Sequence, residues 1–504
     1  MMKILRPVKS SFVFFLGAVL VLSLCLFMND SAAAGENETV WKDSIQLVLD
    51  KTKPLQHDRG ERLPLYLWPA MNPGKLSDSS AEKLISLLND RGIGLVCSWN
   101  HQKMEESLAE CLPVARAQKK LGLRVNINAT SLLYSFCDGS EETAHIDSDG
   151  HPFFDDSFGK KKMGCPFRLE HRIAPIRARL DQFIDAYRKE GVPVDFVFTD
   201  WEIDGPLEWN RAHDAAKRCQ VCREHLPRLD DFLAYQHALR RIRSRLQRQA
   251  YAAPILERFP EALVGNYAVY PHNGWRYWYD YFERYVEGQP SLVDQNAHYR
   301  HWANDFEETG FTFAMPVVYP WSWTWNWYDF EPGDYRWFYN GLLVAGNAGR
   351  FTPKEVPIIA FVHWHTVDVG LQVDEGAASN KLEKPQQMSE WAYQELLWHM
   401  LLRGTDAFFL WCTEKEQPKE VELLHPVWAA AQEYGDFLEK GTPITFDVPK
   451  KAGAVVSGLR MGDQILVRRT DFTQDQSPIA LTVGGKVIKI PAAEGKCLVM
   501  KLTP

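Results

Sequence analysis

No glycine-rich phosphate cradle follows any strand-like segment of this 504-residue chain: neither G-x-G-x-x-G nor a P-loop occurs where a nucleotide would need one. There is no basic stripe either. Lys and Arg number 57 against 65 Asp and Glu, giving a formal charge of −8 and a pI near 6.0, which argues against nucleic acid as a partner. The run Arg240-Arg241-Ile242-Arg243-Ser244-Arg245 is basic, but it sits in a helical pattern and reads as a solvated helix face. No H-x-H ends the first strand, which reads Leu67-Trp68-Pro69-Ala70-Met71; a metal-dependent amidohydrolase barrel is therefore disfavoured. Past the N-terminus, no segment is long and apolar enough to span a bilayer. No cofactor motif is present, and neither a cofactor nor a metal is expected.

At the N-terminus, Lys3, Arg6 and Lys9 precede an apolar run from Phe12 to Met28, followed by Ser31-Ala32-Ala33-Ala34-Gly35. A basic start, an apolar middle and a small-residue A-x-A end make residues 1–34 a secretory signal, with cleavage after Ala34. The expected location is secreted, periplasmic or cell envelope. A membrane is a partner only if the segment stays uncleaved as an anchor. A lipoprotein reading at Cys25 is weakened by the bulky Leu24 before it. The remaining chain of about 470 residues is ample for a large core.

Eight cysteines follow the signal: Cys97, Cys111, Cys137, Cys165, Cys219, Cys222, Cys412 and Cys497. In an exported chain an even count suggests some disulfides, of unreadable connectivity. Cys219-Gln220-Val221-Cys222 is a C-x-x-C, half a zinc site or a tight disulfide. His213 and His225 lie near it in sequence, and Cys137 or Cys165 could approach in space. With no second C-x-x-C, a structural staple in a loop is the default reading.

The body of the chain alternates. Apolar strands are expected at Leu63–Met71, Ile93–Trp99, Leu123–Ala129, Asp195–Glu202, Leu263–Tyr270, Phe311–Tyr319, Val356–His365 and Ala407–Cys412, with amphipathic helices between them. Strands apolar throughout and separated by helices are parallel and covered on both faces. Eight such units predict a (β/α)8 barrel over 61–438, after a linker at 35–60. A doubly wound open sheet is the runner-up. From 439 to 504 the pattern shifts to short alternating strands, with Gly484-Gly485 as a hairpin turn, predicting a small C-terminal all-β, sandwich-like domain.

Barrel catalysis sits at the C-terminal strand ends. Polar or aromatic candidates for substrate contact there are Trp99, Asn128, Asp204, Tyr267, Tyr319, Trp321, Trp323, His363, His365 and Trp411. Six aromatics crowd Tyr319–Tyr328, and flat rings with polar edges in a polar loop suit stacking on sugars. The helical aromatics Trp275–Tyr281 read instead as core. His363 and His365, two apart, share a face; without a third ligand at useful spacing they read as hydrogen-bonding partners of sugar hydroxyls. The fourth strand is the most informative. Alternation puts Phe196, Phe198, Asp200, Glu202 and Asp204 on one face, which runs from aromatic core into carboxylates. Like charges this close raise at least one pKa, giving a proton donor beside a fixed anion, the pair that glycoside cleavage uses.

Asp195-Phe196-Val197-Phe198-Thr199-Asp200-Trp201-Glu202 resembles the D-G-x-D-x-D-x-E signature of family 18 chitinases and the D-W-E core of hyaluronidases, with Phe196 and Phe198 replacing a glycine and an inner aspartate. Met315-Pro316-Val317-Val318-Tyr319 is loosely similar to the chitinase M-x-Y-D segment, lacking its aspartate. The resemblance implies a glycoside hydrolase acting on an oligo- or polysaccharide. Glu202 would be the general acid/base, and Asp200 would orient an N-acetyl group that serves as internal nucleophile. Two other readings stay open. One is a retaining α-glycosidase with Asp200 as nucleophile and a second carboxylate from Glu202, Asp329, Asp368 or Glu414. The other is a non-catalytic carbohydrate-binding barrel.

Overall fold

A computed structural model describes residues 41–68, 73–155, 163–201, 210–226, 228–272, 305–320, 325, 330–366, 386–493 and 495–502. The expected signal, Glu202, Asp204, Trp321, Trp323 and the aromatic stretch from Trp275 lie outside the described residues. In chain order the strands are β1 (Leu65–Trp68), β2 (Ile93–Ser98), β3 (Asn126–Asn128), β4 (His145–Ile146), β5 (Pro152–Phe153), β6 (Phe196–Thr199), β7 (Leu263–Asn266), β8 (Val317–Val318), β9 (Ile359–Val362) and β10 (Ala407–Trp411). Eight of them form one sheet in the order β7-β6-β3-β2-β1-β10-β9-β8, every pair parallel. Its two ends meet. Thr312 N donates to Val264 O at 2.9 Å, Val264 N to Thr312 Oγ1 at 2.8 Å, and Met315 N to Val269 O at 3.0 Å. The segment ahead of β8 thus lies against β7, and the sheet closes as a (β/α)8 barrel.

Register fixes which side chains enter the barrel. Tyr66 pairs with Gly94 and Phe409, Val96 with Asn126, Asn126 with Phe196, and Phe409 with Phe361; paired residues point the same way, and alternate residues follow them. The inward set is aromatic. Tyr66 stacks on Phe196 at 4.3 Å, Phe196 on Phe313 at 5.1 Å, and Phe198 meets Phe409 edge-on at 4.7 Å. Rings this large need space opposite them, which Gly265 supplies: a Cβ there would lie 2.5 Å from Phe313 Cζ. At the N-terminal rim, side chains extend the ladder where strands begin. Asp195 Oδ2 accepts from Val125 N at 2.8 Å and Asp406 Oδ2 from Ile358 N at 2.7 Å. Burial pushes the Asp406 carboxyl up to about 6.

Several helices bury one stripe, while Asp334–Phe351 and Glu390–Leu401 are buried on nearly all sides. In Ile173–Lys189 the stripe is Ile176, Leu180, Phe183, Ile184 and Tyr187, the three- and four-residue spacing of an amphipathic helix. Ser77 and Ser389 cap the N-termini of Asp78–Asn89 and Glu390–Leu401 by accepting from Ser80 N and Ala392 N. Three sequence expectations are corrected. The 35–60 linker holds a helix, Asp43–Lys51, whose Ile45, Val48 and Leu49 are buried. The basic run in helix Phe232–Gln247 is only half solvated: Arg241 and Arg245 are exposed while Arg240 and Arg243 are buried. Among the described residues no disulfide forms, as all eight cysteines from Cys97 to Cys497 are free thiols. Among the described residues no helix is long and apolar enough to cross a membrane.

The C-terminal region is all-β. β11 (Thr442–Pro443), β12 (Ala454–Met461), β13 (Gln464–Asp471) and β16 (Cys497–Lys501) form an antiparallel sheet, and β14 (Ile479–Val483) pairs with β15 (Lys486–Ile490). Gly484 and Gly485, at φ 56° and 81°, make the turn between the latter two, where both positions need the left-handed region. Val456, Ile465, Val467, Val483, Ile490 and Leu502 form a core between the two layers.

Candidate active site

At the C-terminal mouth the inward face of β6 runs from Phe196 and Phe198 to Asp200. Its outward neighbours Thr199 and Trp201 are fully buried, Trp201 stacking on Phe136 at 5.3 Å. Asn266 on β7 grips this exit. Its Oδ1 accepts from Thr199 Oγ1 and Trp201 N, each at 2.8 Å, and its Nδ2 donates to Trp201 O at 3.3 Å. From the other side Asp200 N donates to Thr130 Oγ1 at 2.9 Å, and Thr130 Oγ1 donates to Asn128 Oδ1 at 2.6 Å. Asp200, partly exposed, is therefore held by its backbone on both flanks, the preorganisation a charged group at a reaction centre needs.

The opposite arc of the mouth is aromatic and imidazole. Tyr267 and Tyr319 share a hydrogen bond between hydroxyls at 2.6 Å. Tyr319 stacks on Trp411 at 5.7 Å, and His363 meets Trp411 edge-on at 4.8 Å. Directly after Tyr267, Ala268 takes φ 57°, a left-handed conformation costing a non-glycine residue about 1 kcal/mol or more, of the sort stored at functional sites.

Beneath the histidines lies a carboxylate that sequence reading missed. Glu420, fully buried on helix Gln417–Ala431, accepts from Trp364 N at 3.0 and 2.9 Å and from His365 N at 2.9 Å. Its Oε1 is 3.0 Å from His365 Nδ1 and 3.3 Å from His363 Nδ1. His363 Nδ1 is also 2.7 Å from Trp411 O, which can only accept, so Nδ1 carries the proton and Nε2 is the free acceptor. Burial pushes the His363 pKa down, whereas the Glu420 hydrogen bond pushes that of His365 up. The third group that spacing alone could not supply for a metal is present, but its oxygens are engaged by backbone N–H groups, and the arrangement is a hydrogen-bonded network. The one sequence signal for Glu420 was its helical phase, at the three-, four- and seven-residue spacing from Leu423, Leu424 and Val427. Glu416 is a second such carboxylate: against burial, the largest influence, hydrogen bonds from Thr413 N and Oγ1 at 3.0 and 2.7 Å hold its pKa low.

A pH prediction follows from His365. Its folded pKa is raised above its ordinary 6.5, so its pairing with Glu420 stabilises the fold fully below that value and is lost as pH rises through the raised one. With His365 one-third exposed, the contribution is on the order of 0.5 kcal/mol. His365→Gln should therefore unfold more readily than the parent at pH 5.5 and match it at pH 9. A gap that widens with alkalinity in thermal melts would sink the assignment.

The other sequence candidates fare differently. Trp99 is a correction. Register places Ser98 inward and Trp99 outward, where it is 1% exposed and sandwiched against Phe183 at 5.0 Å and Tyr187 at 5.2 Å; it is core. Asn128 is inward, but its amide is taken by Thr130 and by Ser98 Oγ at 3.3 Å, making it a positioning residue for Asp200. Trp325, expected to stack on sugar, is fully buried beneath the Arg336 guanidinium at 4.5 Å and beside Trp337 at 4.8 Å. Trp325→Ala should cost about 3–5 kcal/mol of stability, as aromatic truncations in cores do. Denaturant unfolding within 1 kcal/mol of the parent would contradict that placement. Tyr267, Tyr319, His363, His365 and Trp411 are brought together; Glu202, Asp204, Trp321 and Trp323 lie outside the described residues.

No family model and no curated protein matches the chain. Solved structures similar to it include the GH36 alpha-galactosidase AgaA from Geobacillus stearothermophilus, 12% identical over 91% of this chain and 57% of that chain, with a TM-score of 0.43. Alpha-L-fucosidase isoenzyme 1 from Paenibacillus thiaminolyticus is 11% identical over 87% and 86% of the two chains, with a TM-score of 0.35. Bee venom hyaluronidase is 14% identical over 64% and 93%, with a TM-score of 0.31. This chain spans 57% of the length of the galactosidase. All three are glycoside hydrolases, and at these identities the likeness concerns the fold alone.

Proposed function

We propose that the chain is an exported glycoside hydrolase that binds an oligo- or polysaccharide across the barrel mouth and cleaves it with Asp200 and Glu202. One observation carries the reading: the inward line Phe196–Phe198–Asp200 delivers a backbone-clamped carboxylate into a mouth lined by Tyr267, Tyr319, Trp411, His363 and His365. Ring faces suit the C–H faces of sugars, and imidazole and phenol edges suit their hydroxyls. A second carboxylate two residues on in sequence, Glu202, supplies the proton donor that glycoside cleavage pairs with a fixed anion. Subsites at Asp204, Trp321 and Trp323, and assistance by a substrate N-acetyl group, are the finer form of the proposal and rest on sequence. So does export, which predicts a mature terminus near Gly35.

The test is hydrolysis of a panel of aryl glycosides and polysaccharides by the purified protein. Turnover of one sugar class is the expected result. Polysaccharide binding without release of reducing ends would instead make the barrel a carbohydrate-binding protein.

A further inference from the structure

Three thiols and an imidazole from two separate loops converge at one buried point. Cys165 Sγ lies 3.6 Å from Cys222 Sγ and 3.9 Å from Cys219 Sγ, and Cys222 Sγ lies 3.8 Å from His145 Nδ1. All four ligand atoms fall within 4.8 Å of one another. The three cysteines are fully buried and His145 is 3% exposed.

These separations have a chemical meaning. A tetrahedral ion with Zn–S of about 2.3 Å and Zn–N of about 2.0 Å needs sulfur–sulfur edges of about 3.8 Å and sulfur–nitrogen edges of about 3.5 Å. A disulfide needs sulfurs about 2.05 Å apart, far closer than the two pairs measured. A polynuclear iron–sulfur centre spreads its four protein ligands over more than one iron, which holds some of them farther apart than the edge of a single ion. Three soft thiolates and one imidazole select zinc among the common divalent ions, and four protein ligands with no solvent face describe a closed, structural site.

The local sequence is built to make this junction. Cys219 sits at the N-cap of the short helix Gln220–His225, whose first turn carries Cys222, so the C-x-x-C presents both sulfurs from one helix start. Cys165 N donates to Thr143 O at 2.7 Å, and a Cβ at Gly164 would lie 2.1 Å from that same oxygen; only glycine lets the Cys165 strand come this close to the segment bearing His145. The His145 ring is oriented by stacking on Phe153 at 5.1 Å across the β4–β5 hairpin. His213 and His225, the sequence neighbours of the C-x-x-C, face the backbone carbonyls of Leu229 and Val221 instead.

We propose that His145, Cys165, Cys219 and Cys222 bind one structural zinc ion that clips the loop after β3 to the helical loop after β6. Helix Asn210–Arg218 leads directly into Cys219, so the clip anchors the far end of the loop that leaves β6 at Trp201. In an oxidising compartment the bound ion would also keep the C-x-x-C thiolates from closing into a disulfide. The site is independent of the glycosidase reading, since it uses none of the mouth residues.

Elemental analysis of the full chain, purified without chelator, is the test. One zinc per chain is expected, released stoichiometrically to a chromogenic chelator when a thiol-specific mercurial is added. Cys222→Ser and Cys165→Ser should each bring the zinc content close to zero, while Cys137→Ser retains it. If the serine variants fail to fold, cobalt exchanged into the native protein should show the intense visible bands of tetrahedral thiolate coordination. A metal-free native protein with a Cys219–Cys222 disulfide in its peptide map overturns the proposal, as does zinc retained by Cys222→Ser.

Discussion

Asp200→Asn should abolish turnover on natural glycosides and on activated aryl glycosides alike, whereas Glu202→Gln should cost at least ~100-fold on the former and much less on the latter. The difference lies in what each carboxylate supplies. Asp200 is pinned through Thr130 on one flank and through Asn266 on the other, so its charge stays fixed while positive charge grows on the sugar or its N-acetyl group. That charge is needed whatever the leaving group, and Asn keeps the shape without it. Glu202, with the longer side chain, is assigned the proton donor, and a leaving group that departs unprotonated does not need one. Kinetics on the two substrate types separate the roles. Near-normal turnover by Glu202→Gln with an inactive Asp200→Asn would make Asp200 the central nucleophile of a retaining α-glycosidase. Unchanged turnover by both would remove strand four from the chemistry.

The barrel was legible in sequence because buried parallel strands are apolar throughout and several of their helices are striped; Phe196–Thr199 and Ala407–Trp411 stand within a residue or two of where composition places them at their N-terminal ends. Strand ends were less legible. Leu123–Ala129 shrinks to Asn126–Asn128 and Phe311–Tyr319 to Val317–Val318, since apolar character continues into segments that bond through side chains such as Asp195 and Thr312 rather than through a ladder. At the mouth the missing information was parity. Trp99 sits at a strand end like Trp411, yet it is one residue out of phase with Ser98 and faces the helices. Glu420 and His145 were hidden for a different reason: each meets its partners across a long sequence separation, which local pattern cannot encode.

The second large effect concerns the joint between barrel and C-terminal domain. Glu395, on helix Glu390–Leu401, receives Arg468 of β13 in a two-pronged ion pair, Nη2–Oε1 at 2.5 Å and Nε–Oε2 at 2.9 Å, with both side chains almost fully buried. A proton-ordered chain extends from it. Arg403 Nε donates to Ser457 Oγ at 2.8 Å, and Ser457 lies 2.8 Å from His399 Nδ1. His399 Nε2 lies 2.9 Å from Thr470 Oγ1, and Thr470 donates to Glu395. Glu395 can only accept, so Thr470 must give it a proton and receive one from His399 Nε2–H. That leaves Nδ1 bare to accept from Ser457. His399 is therefore neutral, as its burial, with Arg403 and Arg468 close by, independently demands by pushing its pKa well down. Glu395→Ala removes the sink of this chain and strands a buried guanidinium, so it should cost about 3–5 kcal/mol. Replacing both partners by Met, which leaves no unpaired charge, should recover most of that loss. The same network predicts an acid sensitivity: the contribution of neutral His399 is whole above pH 6.5 and erodes as pH falls below it, because the unfolded chain then gains a proton that the folded one refuses. Chemical denaturation of the single and double variants between pH 5 and 8 reads both effects. A single variant as stable as the double would mean that Arg468 finds water when Glu395 is gone, and that the joint is not held by this pair.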